Sequence, residues 1–78
     1  MALKAVVIRH LPNSRPVTSA VIESSSSTDV DDQNHYLISQ GKDHINQFIK
    51  NLPEFTEAAW YIDIINECNI VIETEKVK

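Results

Sequence analysis

Short β-branched runs fill the first half of this 78-residue chain, and from Gln40 onward apolar positions recur at helical spacing. Residues 3–10 (LKAVVIRH) are compact and β-rich, and they stop at Leu11-Pro12-Asn13-Ser14-Arg15-Pro16. Two prolines and an Asn in that window prevent a regular element, so the pattern predicts a strand followed by a loop. Residues 17–24 (VTSAVIES) predict a second strand. The next stretch, about residues 24–33, is serine- and aspartate-rich with Val30 its one large apolar residue, and it predicts an exposed hairpin connection. Residues 34–39 (NHYLIS) predict a third short strand. Ile45, Phe48, Ile49 and Leu52 then fall at i, i+3, i+4 and i+7, one stripe of a helix. Ser39 is the expected N-cap, Asp43 suits the first turn, and Gly41 is expected in the strand-to-helix turn. Pro53 ends the helix, because it disfavours helical geometry at Leu52 and lacks an N–H.

The following segment supports two readings. As a helix over residues 56–68, Ala58, Tyr61, Ile62, Ile65 and Cys68 share one face, opposite Thr56, Asp63, Asn66 and Glu67. As a hairpin, Trp60–Ile65 pairs with Ile70–Glu75 across Asn66-Glu67-Cys68-Asn69, with Asp63 interrupting the first strand. The helical face is the cleaner, and Asn69 suits a left-handed cap, so the helix is the expectation. Residues 70–75 predict a last strand. The fold class is therefore α+β: a small antiparallel sheet in the order β-β-β-α-α-β, with two helices on one face. The expected core is Val7, Val21, Leu37, Ile45, Phe48, Ile49, Leu52, Ile62, Ile65 and Ile72.

Residues 1–78 make one small domain, a size that buries only about 60% of its unfolded surface and often gains stability from cross-links, metals or self-association. Cys68 is alone, which excludes an internal disulfide and points to a reducing, cytoplasmic location. The apolar run Ala5–Ile8 is too short for a signal segment or a membrane span.

Charge is uneven. Lys4, Arg9 and Arg15 face no acid in residues 1–16, whereas residues 53–75 carry Glu54, Glu57, Asp63, Glu67, Glu73 and Glu75 and no base. With a net charge of −4 and no continuous basic stretch, direct binding to nucleic acid or an anionic membrane is not expected.

Catalytic and metal signatures are weak. Asp29, Asp31, Asp32 and Asn34 crowd oxygen donors, but a calcium loop counted from Asp29 would need glycine at Asn34 and a bidentate acid at Gln40. His10, His35, His44 and Cys68 lack zinc-ligand spacing. Cys68 is expected on a buried face near a helix end, where a thiol is not activated. A single glycine excludes phosphate loops and nucleophile elbows. No metal, cofactor or catalytic residue is expected, and a pocket joining two or more of His10, His35, Tyr36 and Asp63 would be needed to revive an enzyme reading.

Glu57, Trp60, Asp63 and Glu67 stand out instead, because an aromatic at the edge of an apolar stripe, ringed by acids, has the make-up of an interface anchor. In size, acidic balance, serine-rich connection and lack of catalytic motifs, the chain resembles small phage and plasmid proteins that bind and block host machinery, anti-CRISPR proteins among them. The likeness is one of composition. Together these features lead to the expectation of a non-enzymatic, stoichiometric inhibitor or regulator. Its acidic/aromatic face would engage a protein partner, such as one with a basic nucleic-acid-binding surface. The alternative is a structural subunit that homodimerises without a separate target.

Overall fold

The computed structural model describes residues 3–23 and 29–78. It is α+β: strands β1 (Lys4–His10) and β2 (Val17–Glu23), one helix α1 (Val30–Asn51), a 3-10 turn (Pro53–Glu57), then β3 (Ala59–Ile65) and β4 (Val71–Lys76). The four strands form one antiparallel sheet in the order β2-β1-β3-β4. The helix lies on one face, against β1, β2 and β3.

Turn chemistry sets the two hairpins. Between β1 and β2, Ser14 N donates to Leu11 O at 3.2 Å, and Asn13 has φ 62°. Pro12 then Asn13 at the two central places is the make-up of a type II turn, in which the second residue must be left-handed. Between β3 and β4, Asn66 Oδ1 accepts from Cys68 N (2.9 Å) and Ile70 N (3.1 Å), and Asn69 has φ 60°. Asn69 is thus left-handed as expected, but it closes a hairpin and does not cap a helix.

Several expectations are corrected. Residues 34–39 are not a strand but the second and third turns of α1, whose N-cap is Asp29 and not Ser39. Asp29 accepts from the N–H groups of Asp31 and Asp32. The buried stripe of α1 is Gln33, Leu37, Gly41 and Ile45, a strict i+4 series. Two of its four places hold a polar residue and a glycine, which hid the period. Of the exposed connection at 24–33, residues 24–28 lie outside the described residues, and 29–33 are the cap and first turn of the helix.

The segment 56–68 is not a second helix either. It is the end of the 3-10 turn, strand β3 and part of a hairpin loop, so the sheet carries one helix and not two. Along β3, Trp60, Ile62 and Ile64 are buried while Ala59, Tyr61, Asp63 and Ile65 are only half-buried, the period-2 signature of a strand with one covered face. Asp63 does not interrupt this strand. It lies on the side away from the helix and accepts from Thr74 Oγ1 at 2.8 Å.

The core consists of Leu3, Ala5, Val7, Leu37, Ile45, Ala58, Trp60, Ile62 and Ile64. Phe48 and Ile49 pack against it, but the expected core residues Val21, Leu52 and Ile72 are exposed. Gly41, the chain's single glycine, is buried mid-helix and not in a turn. A Cβ there would lie 2.6 Å from Ile62 Cδ1. Its absence lets the helix backbone settle directly on the centre of the sheet.

Candidate functional site

The expected acidic/aromatic face does not assemble. Trp60 is 0% exposed and stacks edge-on against Phe48 at 5.4 Å, with its indole Nε1 donating to Phe55 O at 3.1 Å. Asp63, three residues on, points to the opposite side of the sheet. Glu57 precedes β3 and Glu67 follows it, beyond opposite ends of a seven-residue strand. The remaining acids also scatter. Glu54 is exposed in the 3-10 turn, while Glu73 and Glu75 pair with Ile64 and Ile62 and so lie on the helix side of edge strand β4.

The most chemically suggestive contact joins Ser19 and His44. Ser19 is the extra residue of a bulge in β2, opposite Val7 and Ile8, and its Oγ shares a 3.1 Å hydrogen bond with His44 Nε2 on α1. Arg9 Nη1 donates to the same oxygen at 3.3 Å, and the guanidinium lies 5.1 Å from the ring centres of both Phe48 and Phe55. A serine and a histidine at this distance satisfy the first requirement of nucleophilic catalysis. A base also needs an orienting partner, and the reacting atom a place to sit. His44 packs its ring against Phe48, and Ser19 is wedged between a guanidinium and that imidazole. The cluster is a tie between β1, β2 and α1.

A shallow groove of about 360 Å³ runs between α1 and β4, lined by Asn34, His35, Ile38, Lys42, Glu73 and Glu75. Lys42 Nζ and Glu75 Oε2 close across it at 3.0 Å. Of the four residues whose joining would signal an enzyme, this groove holds only His35. Among the described residues, no group of three or more His, Cys, Asp or Glu side chains is placed to hold a metal ion, and no helix is long and apolar enough to cross a membrane. Cys68 is exposed in the β3–β4 turn, not buried.

The surface that stands out is the face of the sheet turned away from α1. Pairing fixes its layout: Glu23, Lys4, Ile65 and Val71 form one row, Val21, Val6, Asp63 and Thr74 the next, and Thr18, Ile8, Tyr61 and Lys76 a third. Ile72 joins the first row through a bulge in β4 opposite Ile65. No described element covers this face. Val21 is 56% exposed, Val71 49% and Ile72 48%, while Val6, Ile8, Tyr61 and Ile65 are half-buried among their neighbours. Its charges balance, with Lys4 and Lys76 against Glu23 and Asp63, and Lys4 pairs with Glu23 at 3.7 Å. The −4 of the whole chain is therefore carried elsewhere. Burial alternates strictly along residues 59–65, but six of those seven residues are apolar, so in the sequence only Asp63 marked the open side.

No family model matches this chain, and no curated protein or solved structure matches it either.

Proposed function

We propose that this protein is a non-enzymatic protein-binding module that works by occupancy, with the open face of its sheet as the working surface. The observation that carries the reading is the uncovered set Val6, Ile8, Val21, Tyr61, Ile65, Val71 and Ile72 on one side of a two-layer fold. Contiguous apolar patches beyond a few hundred Å² are rare on monomeric proteins and mark interaction surfaces. The sheet edges are less suited. Edge strand β2 is preceded by Pro16 and bulged at Ser19, while β4 is bulged and carries Glu73 and Glu75 on its inward side, all devices that suppress strand addition. A surface that fits the face would place a cation opposite Asp63, the carboxylate at its centre.

A module of this kind acts as an inhibitor, a regulator or a structural subunit, and the lone exposed thiol of Cys68 suits a reducing cytoplasm. A target with a basic nucleic-acid-binding surface would instead engage Glu54, Glu57 and Glu67, and salt separates the two modes. Binding through the balanced face should change little between low and high salt, whereas binding through the scattered acids should weaken markedly. The direct test puts a photo-reactive residue at Val21 or at Ile72, with Gln47 on the exposed side of α1 as control, and irradiates in native extract. Cross-linking to protein is expected from the two sheet positions. Cross-linking from Gln47 alone would move the working surface to the helix and defeat the reading.

A further inference from the structure

We infer that the occupant of the open sheet face is a second copy of this chain, packed sheet against sheet to give a helix–sheet–sheet–helix dimer. The inference rests on the reading of that face as the working surface and adds its partner. Charge is the first reason. A chain of net charge −4 repels its own copy over most of its surface, but on this face Lys4 and Lys76 balance Glu23 and Asp63. Self-association is therefore favoured here over the acidic remainder of the molecule.

Register supplies the second reason. Two sheets pack face to face about 10 Å apart with strands roughly aligned, and a homodimer relates them by a two-fold axis lying between them. If that axis runs along the strands, β3 of one copy lies over β1 of the other and Asp63 faces Val6. Lys4 is then the next residue on that strand and face, roughly 7 Å away, within reach of its own side chain. If the axis runs across the strands midway between the Asp63 and Tyr61 rows, Asp63 faces Tyr61, whose cross-strand neighbour is Lys76, whereas an axis through the Asp63 row would set the two carboxylates against each other. The lengthwise and the midway axis each bring a lysine of the second copy to the carboxylate at the centre of the face. Val6, Ile8, Tyr61 and Ile65 then fill the middle of the interface, as its apolar core requires.

Size is the third: a domain this small is one for which self-association supplies missing burial.

Sedimentation of the full chain over a dilution series tests the inference. Twice the chain mass at high concentration, falling to the chain mass on dilution, is expected. Val21→Lys and Ile72→Lys replace exposed side chains, so circular dichroism should match the unaltered protein while association weakens by roughly a hundredfold, because each buries an unpaired charge against an apolar face. Lys4→Asp and Lys76→Asp should differ. The one whose loss is restored by Asp63→Lys in the same chain identifies the axis. A protein that stays monomeric at every concentration, yet cross-links to a different protein from Val21, overturns the second copy and leaves the working surface standing. A dimer indifferent to Val21→Lys and Ile72→Lys overturns both, since association then lies elsewhere. A monomer with no cross-link from Val21 or Ile72 also overturns both.

Discussion

The two faces of the sheet are built from alternate residues of the same strands, and they differ in almost every physical respect. Under α1, Ala5, Val7, Trp60, Ile62 and Ile64 are dry and interlocked with Leu37, Gly41 and Ile45. On the other side, Val6, Ile8, Tyr61 and Ile65 are equally apolar but sit among lysines, threonines and Asp63, with no described element above them. Neither hydrophobicity nor volume separates the two sets; ionised groups do. The closed face has the one tryptophan and no charge at its centre, as a core demands. The open face keeps charges that can be solvated in the free protein and paired in a complex.

Truncation of the closed face should have the largest effect. Trp60→Ala should cost about 3–5 kcal/mol, much of the stability of a domain this small, and urea unfolding would register it. A variant that unfolds with the unaltered protein would mean Trp60 does not hold the helix to the sheet. Adjacent isoleucines on β3 give the sharpest contrast. Ile64→Ala should lose about 2–5 kcal/mol, whereas Ile65→Ala, half-buried on the open face, should lose about 1 kcal/mol or less when measured on the free chain. Equal losses would show that the open face is covered in solution.

Gln33→Ala comes next. The Gln33 side chain is 1% exposed and its Oε1 accepts from Leu3 N at 3.1 Å, so removing it strands a buried N–H at a cost of about 1–3 kcal/mol. A small change is also expected at Gly41. Alanine gains about 1 kcal/mol of helix propensity, but its Cβ would press on fully buried Ile62, and overpacking costs about 1–3 kcal/mol. A net loss between about 0 and 2 kcal/mol by thermal melting is expected, and a clear gain would show that Ile62 shifts freely.

Local pattern made β1, β2 and β4 legible from sequence, because each combines β-branched residues with a bounding turn. The helix was legible only from Ile45 onward, where its stripe is apolar. Its first half is marked by Gln33 and Gly41, one chosen for a hydrogen bond to Leu3, just before β1, and the other for closeness to Ile62. Neither purpose registers in a hydrophobic period. In residues 59–65 the isoleucines at 62 and 65 fit a helical stripe and those at 62 and 64 fit a strand. Long-range pairing with β1 decided the matter. The same ambiguity concealed the candidate surface. Glu57, Trp60, Asp63 and Glu67 share a surface only if the segment is helical, and alternation sends Trp60 inward and Asp63 outward. Val6, Ile8 and Val21 were visible as strand residues, but which side the helix would cover was not.

The placement of α1 over β1, β2 and β3 has a kinetic consequence for the fourth strand. Edge strand β4 is held by its ladder to β3, by Val77 at the margin of the core and by the half-exposed Lys42–Glu75 pair, which surface screening makes worth about 1 kcal/mol at most. It is the strand that can peel without disturbing the helix. Amide protons of β4, and those of β3 that bond to it, should then exchange with solvent through local opening, while those of the β1–β3 ladder wait for global unfolding, leaving two protection classes within one small sheet. Each such opening bares the pairing edge of β3, so β4 acts as the removable cover of the strand that carries Asp63.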